Sequence, residues 1–137
     1  MDIKNLIGIS AEMIENSKLH FAIGPKNKYE PLDAFYRDDF DEWQEDQSRK
    51  NFGKKYILSL IYFGKDEWLF AGVYKRLDVE YINGRYKYST VLLNIASDLV
   101  GRLVIKYNKS FRASYVHTRN HIDKFELVEI LRDRYTV

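Results

Sequence analysis

Val79, Tyr81, Tyr86 and Tyr88 alternate on either side of an Asn83-Gly84 pair. That pattern constrains the fold more than any other stretch. Asn-Gly favours the primed two-residue turn, whose twist matches that of paired antiparallel strands. The neighbouring segments obey the same period. Lys55–Phe63 is apolar at nearly every position, as a strand covered on both faces must be, and Gly64-Lys65-Asp66 ends it in a turn. Glu67–Leu77 follows as a strand, Val91–Ile95 prolongs the Tyr86–Tyr88 strand, and Leu103–Tyr107 and Phe125–Leu131 add two more. Ser97–Val100 reads as a short helix, and Tyr115–His121 fits neither period clearly.

The N-terminal third differs. Ile3, Leu6, Ile7, Met13 and Ile14 recur at helical spacing over residues 2–16, with Asp2 placed to cap the start. Leu19, Phe21 and Ile23 line one face of a strand that stops at Gly24-Pro25. Leu32, Phe35, Tyr36, Phe40 and Trp43 predict a helix over 31–49, with Pro31 in its first turn. About six strands joined by short turns, after N-terminal helices, predict an α+β domain. Its sheet should be curved and mostly antiparallel, closed into a small β-barrel.

The 137 residues contain two prolines, no linker-like tract and no repeat, which argues for one domain over 1–137. No cysteine is present, so disulfides, thiol catalysis and Cys-ligated metals are excluded. The longest apolar run, Tyr56–Phe63, is far short of the ~20 residues of a membrane-spanning helix. Asp2, Glu12 and Glu15 interrupt what a secretory leader would keep apolar. The expected location is the cytoplasm. A net charge of +2 excludes binding a polyanion by bulk charge alone, so any such binding must come from local patches.

No glycine-rich phosphate loop, nucleophile elbow or acid–base pair at defined spacing occurs, so no catalytic residue, cofactor or enzymatic activity is assigned. His117 and His121 have the spacing of two ligands on one helical face, but no third ligand is evident nearby, and no metal is assigned. Asp38, Asp39, Asp41, Glu42, Glu45 and Asp46 read as a solvated helix face. The opposite sign gathers in the C-terminal third. Arg102, Lys106, Tyr107, Lys109, Phe111, Arg112, Tyr115, His117, Arg119 and His121 occur with no acid between Arg102 and His121. Cations hold phosphates and aromatic faces stack on bases, so this mixture fits a nucleic-acid surface; the wet face of an ordinary strand and loop is the competing reading. Aromatic residues make up 15% of the chain and eleven are Tyr, which suits both half-buried sheets and binding pockets.

A set of ordered segments carries a resemblance. These are Asp41-Glu42-Trp43-Gln44, Gln47-Ser48-Arg49, Asn51-Phe52, and Lys55-Tyr56-Ile57-Leu58-Ser59-Leu60-Ile61. Trp68-Leu69-Phe70-Ala71-Gly72-Val73-Tyr74, Gly101-Arg102-Leu103-Val104-Ile105, Arg112 to Tyr115 and Leu127-Val128-Glu129-Ile130 follow. The series resembles the N-terminal domain of bacterial proteins whose C-terminal part is a GIY-YIG nuclease, over about residues 18–135. That domain is similar in layout to PUA/EVE-type barrels, which bind RNA or modified DNA bases. The resemblance implies a DNA reader of a restriction or defence system, RNA being the alternative ligand, with base flipping into an aromatic pocket. Base contacts would come from Trp43, Gln44, Gln47, Asn51, Ser114, Tyr115 and His117. Phosphate contacts would come from Arg102, Lys106, Arg112 and Arg119. The nuclease domain itself is absent, so no cleavage is expected; the chain would be either a domain of a longer protein or a stand-alone relative, with any nuclease domain in the same or a partner chain. Trp43 has a second reading as the core anchor of its helix. The rival function is a protein-interaction or structural domain that docks a partner on an exposed aromatic sheet.

Overall fold

A computed structural model describes residues 2–47 and 53–133. Among the described residues four short α-helices precede most of the sheet. α1 is Ile3–Ile7 and α2 is Ala11–Glu15. Asp2 caps α1 by accepting from the Lys4 amide at 3.1 Å, as the sequence predicts. The single helix expected over 2–16 is instead two. Gly8 takes φ +76° and closes α1, and the Ser10 hydroxyl restarts the chain by accepting from the Met13 amide at 3.2 Å. The break turns Ile9 inward, where it is buried. The helix expected over 31–49 is likewise divided into α3, Glu30–Tyr36, and α4, Phe40–Glu45, while Asp46–Gln47 is strand instead and 48–49 lie outside the described residues. Asp38 at φ +61° makes the break, and the Asp39 amide closes it on the Ala34 carbonyl at 2.7 Å. Leu32, Phe35 and Phe40 reach the same apolar cluster across it.

Among the described residues eight strands form one sheet. They are β1 Ser17–Ala22, β2 Asp46–Gln47, β3 Tyr56–Gly64, β4 Glu67–Ile82, β5 Arg85–Leu92, β6 Leu103–Lys106, β7 Tyr115–His117 and β8 Glu126–Ile130. The path runs β2-β5-β4-β3-β1-β7, with β6 beside β4 and β8 beside β6. Every pair is antiparallel except β1 with β3, which are parallel in the register Ser17 to Tyr56 through Ala22 to Ile61. The expected strands of 67–77 and 79–82 are one strand of 16 residues, β4. Its two halves serve different neighbours: Glu67–Leu69 pairs with β6, and Tyr74–Ile82 pairs with β5. An irregularity between Arg76 and Val79 bends it midway.

The sheet curls into a half-barrel, so the expectation of a curved, mostly antiparallel α+β domain holds. The curl wraps α4. At one edge the Tyr115 hydroxyl of β7 donates to the Gln44 carbonyl at 3.4 Å, and at the other β2 leaves α4 directly to pair with β5. The middle of the sheet is buried on both sides. Leu19, Phe21, Leu58, Leu60, Trp68 and Phe70 pack against Ile3, Ile7 and Ile122. Ala22, Ile57, Ile61, Leu69, Ala71 and Tyr74 pack beneath Leu32, Phe35 and Phe40. β3 therefore has apolar side chains on both faces, as its sequence requires. The parity of β4 changes beside Gly72, which sits opposite Ser59 at φ +126°. Glycine reaches that backbone region without the Cβ penalty. No helix among the described residues is long and apolar enough to cross a membrane.

Gly24 joins β1 to the segment leading into α3, and a Cβ there would overlap the Asn27 carbonyl oxygen. The obstacle is backbone, which cannot rotate away. Gly24→Ala is expected to lower stability by about 1–3 kcal/mol in urea unfolding; an unchanged midpoint would contradict this packing.

Candidate nucleic-acid interface

One row of residues crosses the sheet beneath α4. Tyr115, His20, Ser59 and Gly72 are consecutive cross-strand partners on β7, β1, β3 and β4. Three of them are polar, in the middle of a buried face. Gln44 resolves this from above. Its Oε1 accepts from His20 Nδ1 at 2.7 Å and from the Ser59 hydroxyl. A carboxamide oxygen has two acceptor sites, so one side chain satisfies both donors. Gln44, His20 and Ser59 are all buried. Burial holds the His20 imidazole neutral and pushes its pKa from 6.5 down to about 4, against the opposing effect of the Gln44 hydrogen bond.

Aromatic rings enclose the row. Tyr115 stacks on His20 with centroids 4.2 Å apart and planes 8° from parallel. Trp43 and Phe40 lie nearly parallel to the imidazole at 5.9 and 6.2 Å, and at 6.0 Å from one another. The 4.2 Å gap leaves no room for another ring, so the His20–Tyr115 pair is a filled stack. Trp43 is only half-buried and packs against the second apolar cluster. It also lines a groove of about 770 Å³ between α3, the start of α4 and the β4–β5 turn. Arg37, Arg85 and Lys87 line the groove with it, together with Glu30, Asp39, Ile82 and Asn83. Arg37 Nε lies 3.5 Å from Asp39 Oδ2.

The residues singled out in the sequence are partly brought together. Trp43, Gln44 and Tyr115 meet at the buried row. Ser114 precedes Tyr115, and its carbonyl accepts from the Phe21 amide at 2.8 Å. His117 is two residues along β7, opposite Lys18. Arg119 follows in a short 3₁₀ turn and pairs with Glu15. Gln47 lies on β2 opposite Tyr86, and Asn51 is outside the described residues. The others are dispersed. Arg102 is committed to backbone, donating to the Leu131 and Asp98 carbonyls at 2.8 Å each. Lys106 stands opposite Glu67 and Glu126 at the end of β6, and Arg112 is exposed on the loop before β7. His117 and His121 do not share a helix, since one ends β7 and the other follows the 3₁₀ turn. Asp38, Asp39 and Asp41 are exposed, as expected of a wet face.

Sequence reasoning missed His20, Ser59, Arg37, Arg85 and Lys87. A signal existed for two of them. His20 and Ser59 are polar positions inside strands that are otherwise apolar there, which demands a partner. The groove cations gave none, since they come from a helix and a hairpin far apart in sequence.

The class defined here is a mixed α+β half-barrel with a buried His–Gln–Ser row under a capping helix. No known protein family, curated protein or solved structure matches the chain.

Two outcomes are expected from the row. Gln44→Ala strips the acceptor from two buried donors and should cost about 2–4 kcal/mol in chemical unfolding. His20 binds a proton more readily unfolded than folded, so the neutral fold is fully favoured above pH 6.5. That advantage is lost as pH falls from 6.5 towards 4, by up to about 3 kcal/mol. His117 and His121, also lowered by burial, add in the same direction. Urea midpoints at pH 7.5, 6 and 5 should fall in the wild type and fall less in His20→Phe.

Proposed function

We propose that this protein is a nucleic-acid-binding module, a DNA reader of PUA/EVE-like layout associated with a restriction or defence nuclease. The observation that carries the reading is the groove, which a half-buried Trp43 lines beside Arg37, Arg85 and Lys87. An unpaired base stacks on an indole face, and cations at the rim take the flanking phosphates. Glu30 and Asp39 in the same groove limit its positive potential. That favours a ligand with a base to stack over a bare polyanion.

The buried row supports the reading as scaffolding. Phe40 and His20 lie nearly parallel to Trp43, and Gln44, its neighbour on α4, is fixed by two hydrogen bonds. A ring held this way loses little freedom when a base stacks on it. In this reading Trp43 is both helix anchor and ligand platform, and modified bases are told apart at the groove rather than inside the filled His20–Tyr115 stack.

One observation favours a second reading, the docking of a protein partner. Leu77, Tyr81, Ile82 and Leu92 on the β4–β5 arm are 45–65% exposed. Exposed large apolar side chains gathered on one hairpin can also mark protein contacts.

Fluorescence anisotropy with labelled single-stranded and duplex DNA, unmodified and carrying methylated or hydroxymethylated bases, tests the proposal. Binding should weaken with salt. Trp43→Ala should weaken it about tenfold, with Trp43→Phe retaining most affinity. Lys87→Ala should reduce the salt slope by about one. No binding to any DNA, with RNA also inert, would hand the exposed arm and the protein-docking reading first place.

A further inference from the structure

The parallel pairing of β1 and β3 brings their C-terminal ends together, with Ala22 opposite Ile61. The chain leaving β1 therefore passes beside Tyr62, the next residue of β3, on its way into α3. That passage, residues 24–29, is held shut by its own hydrogen bonds. The Gly24 amide donates to the Lys28 carbonyl at 3.3 Å, and the Glu30 amide donates to the Asn27 carbonyl at 3.0 Å. The Tyr29 amide donates to Asn27 Oδ1 at 3.1 Å. Pro25 fixes its own φ within the loop.

The loop carries an aromatic residue that the fold leaves open. Tyr29 is 44% exposed, although its ring packs on Tyr62 with centroids 5.3 Å apart. Tyr62 in turn meets the buried Trp68 edge-on at 5.8 Å, and the Lys28 ammonium lies 5.7 Å from the centre of the Tyr62 ring. Tyr29 is thus braced through Tyr62 to the core while much of the residue faces solvent. Lys26 is also exposed, and its side chain makes no ion pair or hydrogen bond among the described residues. Glu30 and Asp33, exposed on α3, balance Lys26 and Lys28, so this end of the molecule exerts no bulk pull on a polyanion. It offers instead a held ring beside an unengaged ammonium, which are the contacts that one nucleotide needs for its base and its phosphate.

The loop also borders the groove of Trp43. Pro25 near its start and Glu30 directly after Tyr29 both line that groove. We propose that Tyr29 is a second stacking platform for a single-stranded nucleic acid: a strand held at Trp43 runs past Pro25, gives a phosphate to Lys26 and lays a further base on Tyr29. The inference rests on the reading of the groove as a nucleic-acid site and extends it from one base to two. It also narrows the ligand. A base flipped from a duplex fills the groove alone, whereas a strand that reaches both rings is unpaired over the whole span.

The test is fluorescence anisotropy of the full chain with a labelled single strand of about eight nucleotides, as DNA and as RNA, over a range of salt concentrations. Tyr29→Ala should weaken binding about tenfold, and Tyr29→Phe, which keeps the ring, should retain most of it. Tyr29→Leu keeps apolar bulk against Tyr62 but has no flat face, so it should weaken binding as alanine does without moving the urea midpoint. Lys26→Ala should lower the salt slope by about 0.7. The Tyr29→Ala penalty should vanish on a closed duplex; an equal penalty there would make Tyr29 a backbone contact and overturn the platform. Single-strand binding that Trp43→Ala weakens, and that Tyr29→Ala and Tyr29→Leu leave unchanged, overturns the platform while the groove reading stands. Binding that depends on Tyr29 and not on Trp43 keeps the platform and overturns the groove. If neither DNA nor RNA binds, both fall.

Discussion

Two hydrogen bonds to one carboxamide oxygen decide where α4 sits. The sheet face beneath it is apolar except at His20 and Ser59, and either left alone would cost about 1–3 kcal/mol. Gln44 meets both at once, and only from directly above. The helix is six residues long and has no intrinsic stability at that length. Its position therefore comes from these polar contacts and from Phe40 in the apolar cluster. The positions of Trp43, one residue before Gln44, and of β2, two residues after it, follow. The groove exists because this contact fixes one of its walls.

The same contact explains why the sheet is a half-barrel rather than a closed one. A closed small barrel fills its interior with its own side chains. Here a helix occupies the space inside the curl. Phe40, Trp43 and Gln44 supply the filling, so the strands need not meet around them. The long bent β4 makes the arrangement workable. It lies flat against β3 and β6 in its first half and carries β5 round the helix in its second.

Much of this was legible in the sequence, and the reasons are particular. The two-faced apolar run of Lys55–Phe63, the Asn83-Gly84 turn and the short helix at Ser97 are local signals, and each is found near its expected place. The two long helices failed at Gly8 and Asp38, where a left-handed residue cut a continuous hydrophobic period; the period is preserved because both halves face one core. The parallel β1–β3 pair left no local trace, since parallel pairing depends on what lies across the sheet. For the site, Trp43, Gln44 and Tyr115 were found as residue types, yet their arrangement was not. Arg102 illustrates the limit. Its charge suits a phosphate, but two carbonyls at 2.8 Å show that the fold uses it.

The parallel pairing also sets an order of events during synthesis. β1 leaves the ribosome early, but its neighbours are β3, some 40 residues later, and β7, about 100 residues later. The β3–β4–β5 meander needs only adjacent chain and can assemble on its own schedule. Until it does, β1 has no strand on either edge. The strand that carries His20 is thus the first made, and a nascent chain halted before Tyr115 would carry it with one edge open.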